Sequence, residues 1–254
     1  MKSIFFSLFA AAFAVVTASA QFPGLPAMPS SAPGADFATF AQLFGKNAAF
    51  TARSEVKVLD KNQKETISTV MDFAMLENKL RLEVDTAATK NKDLPPGAAE
   101  GLKQMGMDQV RVIMRPDKQN VYFVFPKASM YITMPMDKND LEKAEKSTVK
   151  TEDLGKETLD GHPCAKSKIT ITPATGKAQV LTVWKASDLK DFPIQSVSQE
   201  GDDTITTRYT KIQFTKPDAK DFEAPAGFEE YKGMAEFMQG MMKKALGGAA
   251  PTGN

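Results

Sequence analysis

The stretch LDGHPCAKSKITIT, Leu159 to Thr172, holds the one histidine and the one cysteine of this 254-residue chain. A cysteine and a histidine can do nucleophilic chemistry when the imidazole reaches the sulfur and a third group orients the ring. His162 and Cys164 stand at i and i+2, so a strand would put them on one face. Pro163 between them fits only the start or the edge of a strand, and no glycine-rich oxyanion turn flanks the pair. Gly161-His162-Pro163 is a turn signal, and Cys164 opens a run that continues through Ile169 and Ile171. The expectation is therefore a small, buried cysteine beside an exposed turn histidine, with no catalytic residue.

Other chemistry fares no better. One histidine and one cysteine cannot build a Cys/His zinc site. DKNQKE (Asp60 to Glu65) spaces oxygen ligands at alternate positions but lacks the glycine of a calcium loop, so it reads as a turn. ATGKA (Ala174 to Ala178) lacks the first glycine and the hydroxyl of a phosphate-binding loop. The chain carries 32 Lys+Arg against 31 Asp+Glu, interleaved throughout, which gives no field to draw it onto nucleic acid or an anionic membrane. A non-enzyme without metal, cofactor or nucleic-acid partner is expected.

The positive signal is methionine, 14 in all. Met71, Met75, Met105, Met107, Met114, Met130, Met134 and Met136 fall in or beside strands and a crossing helix. Met234, Met238, Met241 and Met242 fall with Tyr231 on one face of a final helix, predicted from about Phe228 to Leu246. Flexible, polarizable methionines make adaptable apolar surfaces. A cavity for a hydrophobic ligand would be lined by Met71, Phe73, Leu80, Leu82, Met114, Phe123, Met130, Ile132, Trp184, Met234, Met238 and Met241. The same pattern would also serve to fill the space between a curved sheet and its lids.

The elements that position these residues lie in one stretch. Residues 1–20 have a signal peptide's form: Lys2, an apolar run from Ile4 to Val16, and the small residues Ala18-Ser19-Ala20 before an expected cleavage. The run is too short to span a bilayer, and no later run is long enough. No cysteine follows the cleavage point, which argues against a lipid anchor. Residues 21–35 form a Pro/Ala-rich leader and 247–254 a matching tail. A single domain is expected over 36–246, folding without an internal disulfide.

Asp36 can cap an opening helix bearing Phe37, Phe40, Leu43 and Phe44, which Gly45 ends. Period-two alternation predicts strands at Phe50 to Leu59, around Thr66 to Phe73 and at Lys79 to Asp85, each with one apolar and one polar face. Pro95 and Pro96 open a short helix with Ala98, Ala99, Leu102 and Met105 on one side. Strands follow near Gln109 to Met114, Val121 to Phe125 and Met130 to Met134. Charged Asp137 to Asp160 reads as a solvated excursion. Four more strands are predicted near Ala165 to Thr172, Ala178 to Trp184, Ile194 to Ser198 and Ile205 to Phe214. About ten antiparallel strands in meander order, with helices on one side, make an α+β layout.

That layout, with FTARSEVKV, ENKLRLEVD, the hairpin RPDKQNVYFVFPKASMYITMP and the corner DAKDFEAPAGFEEY, resembles the LolA/LolB-like superfamily of periplasmic lipoprotein carriers. Through LGKETLDGHPCAKSKITI, VWKASDLKDFPI and PAGFEEY it is more closely similar to a family of exported bacterial proteins whose domain has no assigned function. The resemblance runs from about Phe37 to Tyr231. It implies a LolA-like open β-barrel or half-barrel with covering helices around an apolar cavity. The Arg-Pro pair that the carriers place before their third strand is Leu76-Glu77 here, a departure that counts against lipoprotein carriage itself but not against the cavity.

The resulting expectation is an exported protein, periplasmic or secreted after cleavage near Ala20, that holds a lipid, an acyl chain or a lipidated protein. The alternative is a cell-envelope interaction protein with a filled core and no small-molecule ligand. The sequence sets no oligomeric state.

Overall fold

A computed structural model describes residues 43–92, 94–136, 147–172 and 178–247. The expected signal peptide, the leader, nearly all of the opening helix and all but the first residue of the tail lie outside the described residues.

The described chain builds one sheet. Its strands are β1 (Ala49–Leu59), β2 (Glu65–Leu76), β3 (Lys79–Asp85), β4 (Lys90–Asn91), β5 (Gln109–Arg115), β6 (Asn120–Phe125), β7 (Met130–Pro135), β8 (Thr148–Leu159), β9 (His162–Thr172), β10 (Gln179–Ala186), β11 (Phe192–Glu200), β12 (Asp203–Gln213) and β13 (Glu229–Lys232). Two α-helices join them among the described residues, α1 (Ala98–Gln104) and α2 (Gly233–Gly247).

The spatial order is β13-β7-β6-β5-β3-β2-β1-β12-β11-β10-β9-β8, with the short β4 on β2. Two meanders therefore meet at the centre, where β1 pairs antiparallel with β12. Every pairing is antiparallel except β13 with β7. Among the described residues the sheet ends at β13 and β8, so it is curved but open and does not close into a barrel. The helical cover among the described residues is α1 and α2.

Local chemistry explains the turns. Asp60 Oδ1 accepts from the amides of Asn62 (2.8 Å) and Lys64 (3.1 Å), closing the β1–β2 hairpin. The β5–β6 and β6–β7 connections are single 3-10 turns, each opened by a proline and closed by a left-handed residue, Gln119 and Ser129.

Three expectations need correction. Thr148 to Leu159 is a twelve-residue strand, where the sequence suggested a loop. All of β8 but Leu159 is exposed, so it has no apolar alternation to read; its ladder with β9 holds it. It carries edge protection in the form of charges and a bulge at Gly155 (φ 94°). Second, residues 229–232 form β13 before the helix begins, and Tyr231 therefore belongs to a strand. Third, the outer face is not wholly polar. Residues after β12 cross over it and drive Phe222, fully buried, against Ala74, Leu76, Ile113, Tyr122 and Val124. Arg115, itself buried, fixes this crossing. It donates to Asp117 through Nε (2.8 Å) and Nη2 (2.7 Å), to Phe222 O (3.0 Å), and pairs with Glu223 (2.6 Å).

Candidate functional site

The inner face of the sheet is where the expected site residues meet. Cross-strand register places Phe50, Met75, Leu80, Met114, Val121 and Met134 in one row over β1, β2, β3, β5, β6 and β7. The adjacent row is Ala52, Phe73, Leu82, Val112, Phe123, Ile132 and, on β13, Tyr231. Directly opposed residues share a face, so these are two unbroken apolar tracks. At about 4.8 Å per strand, six strands span about 24 Å. Met71 and Met130 lie on the same face, opposite Ser54 and Phe125. All these residues but Ser54 join one apolar cluster, against which Met234, Met238 and Met241 are partly buried.

Helix α2 lies over the β7 and β13 end of these tracks. Its buried anchor is Phe237, which stacks on Phe125 (6.0 Å between centroids, 13°) and meets Tyr231 edge-on (5.5 Å, 87°). Sequence reading missed Phe237, although it shares the 234, 237, 238, 241 stripe that the methionines define. Met242, expected on that stripe, is instead 49% exposed. The helix start is fixed by Glu236, whose carboxylate accepts from the Lys232 amide (2.6 Å). A second clamp joins Glu229 to the Tyr231 hydroxyl (2.7 Å) and to Lys244 near the far end of the helix. Lys244 and Tyr231 together hold the Glu229 carboxyl below its usual range. Burial and the Glu229 carboxylate push the Tyr231 phenol up.

Trp184 departs from its expected place. Its neighbour Val183 is opposite Ser196, which faces Thr207 and in turn Val56, all of the inner face. Trp184 is opposite Lys166 and Gln195, and Gln195 is opposite Arg208. Strand alternation therefore turns the indole outward, although it is buried and touches the apolar core. There its Nε1 donates to Glu157 of β8, and Lys166 Nζ sits 4.9 Å from the ring centroid.

His162 and Cys164 do not form a pair through their side chains. His162 Nδ1 lies 2.8 Å from Asp188 Oδ2, whereas the Cys164 thiol donates to the His162 carbonyl (3.3 Å). Burial pushes the Cys164 thiol up, away from the thiolate that nucleophilic chemistry needs. Among the described residues no group of three or more His, Cys, Asp or Glu side chains could hold a metal ion. No helix among them is long and apolar enough to cross a membrane.

A single curved sheet, apolar on its inner face and open at both edges, defines a class of β-rich fold with one helix-covered apolar face. The chain belongs to the family described as a domain of unknown function, DUF4412, whose model matches residues 61–192, from the β1–β2 turn to the first residue of β11. No curated protein sequence matches it. Among solved structures it is similar to the lipoprotein LppX from Mycobacterium tuberculosis (12% identity, 69% of this chain and 94% of that one, TM-score 0.38). It is also similar to a LolA superfamily protein from Nitrosomonas europaea (9% identity, 76% and 99%, TM-score 0.38). LprF from Mycobacterium bovis gives 12% identity, 75% and 99%, and TM-score 0.36. One part of the sequence resemblance recurs here, a family of unknown function for the chain. Similarity at this level is a loose likeness in the course of the chain, and the chemistry of this protein rests on its own side chains.

Proposed function

We propose that this protein holds the acyl chain of a lipid or a lipidated protein on the inner face of its sheet, under α2, without catalysing a reaction. The observation that supports this most is the pair of unbroken apolar rows, roofed at one end by a helix that meets them through methionines. Each methylene moved from water onto such a surface contributes about 0.8 kcal/mol, so a long chain would bind with useful affinity. Met234, Met238 and Met241 can re-pack around chains of different shape because their side chains are unbranched. Entry requires α2 to lift, with Phe237 leaving Phe125. The setting proposed is the periplasm or the cell exterior, after cleavage near Ala20; the mass of the exported chain would check it by starting at Gln21.

One observation favours the alternative, an envelope interaction protein with a filled core: the row residues are already buried among themselves. Hydrogen exchange separates the two. Ligand binding expects fast exchange in 233–244 without lipid, slowed by a long-chain lipid, while β6 and β9 stay protected throughout. If α2 exchanges as slowly as those strands and lipid changes nothing, the filled-core protein is the correct description.

A further inference from the structure

We propose that the ligand is a neutral amphiphile of the acylglycerol class, whose oxygen-bearing head lies on a hydroxyl-bearing half of the inner face and takes the hydrogen bond that Ser54 lacks; this rests on the acyl-binding role above. Ser54 is fully buried on the inner face of β1, between Met71 of β2 and Tyr209 of β12, and its Oγ has no hydrogen-bond partner among the described residues. A buried hydroxyl without a partner is a standing cost that an incoming donor or acceptor relieves. Its position marks a boundary. On one side of β1 run the two apolar rows, the nearer one only two residues, about 7 Å, along the strand.

The next row in the other direction changes character. It carries Thr69, Val56, Thr207, Ser196, Val183 and Ser167 across β2, β1, β12, β11, β10 and β9. Thr69 and Thr207 are buried, and Ser196 and Ser167 half-buried. The row beyond, through Val58, adds Ser198 opposite Ile205. None of these rows contains a lysine or arginine, and the row through Val56 ends at Asp153 on β8. A carboxylate or phosphate head would meet no cation there and would face that acid. Hydroxyl, ester or ether oxygens would instead find hydroxyl partners. The chain would run over β2 to β7 and the head over β12 to β9.

The test uses the full mature chain and diphenylhexatriene, a fluorescent hydrocarbon that reports the apolar site alone. Monopalmitoylglycerol should displace it at about tenfold lower concentration than palmitate, the worth of about one hydrogen bond. In Ser54→Ala the probe should still bind and that preference should shrink, leaving the part that Asp153 and the lack of a cation supply. The variant should melt no lower than the native chain, since it removes an unpaired hydroxyl. Equal displacement by palmitate, or a preference unchanged in Ser54→Ala, overturns the neutral head. A native chain that takes up no probe overturns the acyl-binding role itself, and the neutral head with it.

Discussion

Gly240 of α2 lies against the ring of Tyr231: a Cβ there would come within 2.3 Å of Tyr231 Cε1. The ring cannot easily yield, because Phe237 meets it edge-on and its hydroxyl donates to Glu229. Helix propensity alone favours alanine over glycine by about 1 kcal/mol. Forcing a methyl into a closed contact costs about 1–3 kcal/mol. Gly240→Ala should therefore lower the urea midpoint despite its better propensity. Combining it with Tyr231→Leu should recover part of the loss, a coupling that a double-mutant cycle would measure. A more stable Gly240→Ala chain would show that α2 is not seated on Tyr231.

Arg115 predicts a pH dependence. Arg115 holds the Asp117 carboxyl low, and Lys118 with Arg115 does the same for Glu223. Both folded-state values lie below the unfolded ones. Their stabilisation is thus complete above the ordinary carboxylate range, about pH 4, and is lost as pH falls through the folded values. An Asp117→Asn, Glu223→Gln chain should be less stable than the native one at pH 7. The two denaturation curves should converge as pH falls below the ordinary carboxylate range. A constant gap across that range would remove the ion cluster as the clasp of the outer crossing.

How much of this was legible follows burial pattern. β1 and β3 alternate strictly, and β2 does so from Thr69 to Phe73, because one face meets the core, so Phe50, Phe73 and Leu82 announced themselves. β8 could not, since neither of its faces is covered. Arg115 reads in sequence as an ordinary charged strand residue; only the return of Phe222 and Glu223 from 107 and 108 positions away buries it, a long-range pairing with no local signature. Trp184 was placed on the wrong face because β10 is apolar at Val183 as well, and two adjacent large residues leave the phase of a strand undetermined.

Cys164 should behave as a packed thiol. It is 2% exposed and burial pushes its pKa up, so alkylation by iodoacetamide should be slow in the folded chain and fast in urea. Cys164→Ala should keep the fold with a loss of about 1 kcal/mol, and Cys164→Ser should lose more, because a hydroxyl would be buried there. Rapid alkylation of the native protein would reopen the case for a reactive site at His162-Pro163-Cys164.

The single tryptophan offers a report on the face where no ligand is expected. Trp184 is held outward between Lys166 and Glu157, the latter on edge strand β8. The indole N–H and Lys166 keep the Glu157 carboxyl below its usual range. A ligand on the inner face would reach Val183 at most, with its head, and not the indole, so saturating lipid should leave the Trp184 emission maximum unmoved. Glu157→Ala should shift it to longer wavelength without lipid, because the N–H would turn to water and β8 would lose a tie to β10. Lipid that shifts the native emission as far as Glu157→Ala does would mean that the ligand binds outside the sheet, and the two apolar rows would then be core alone.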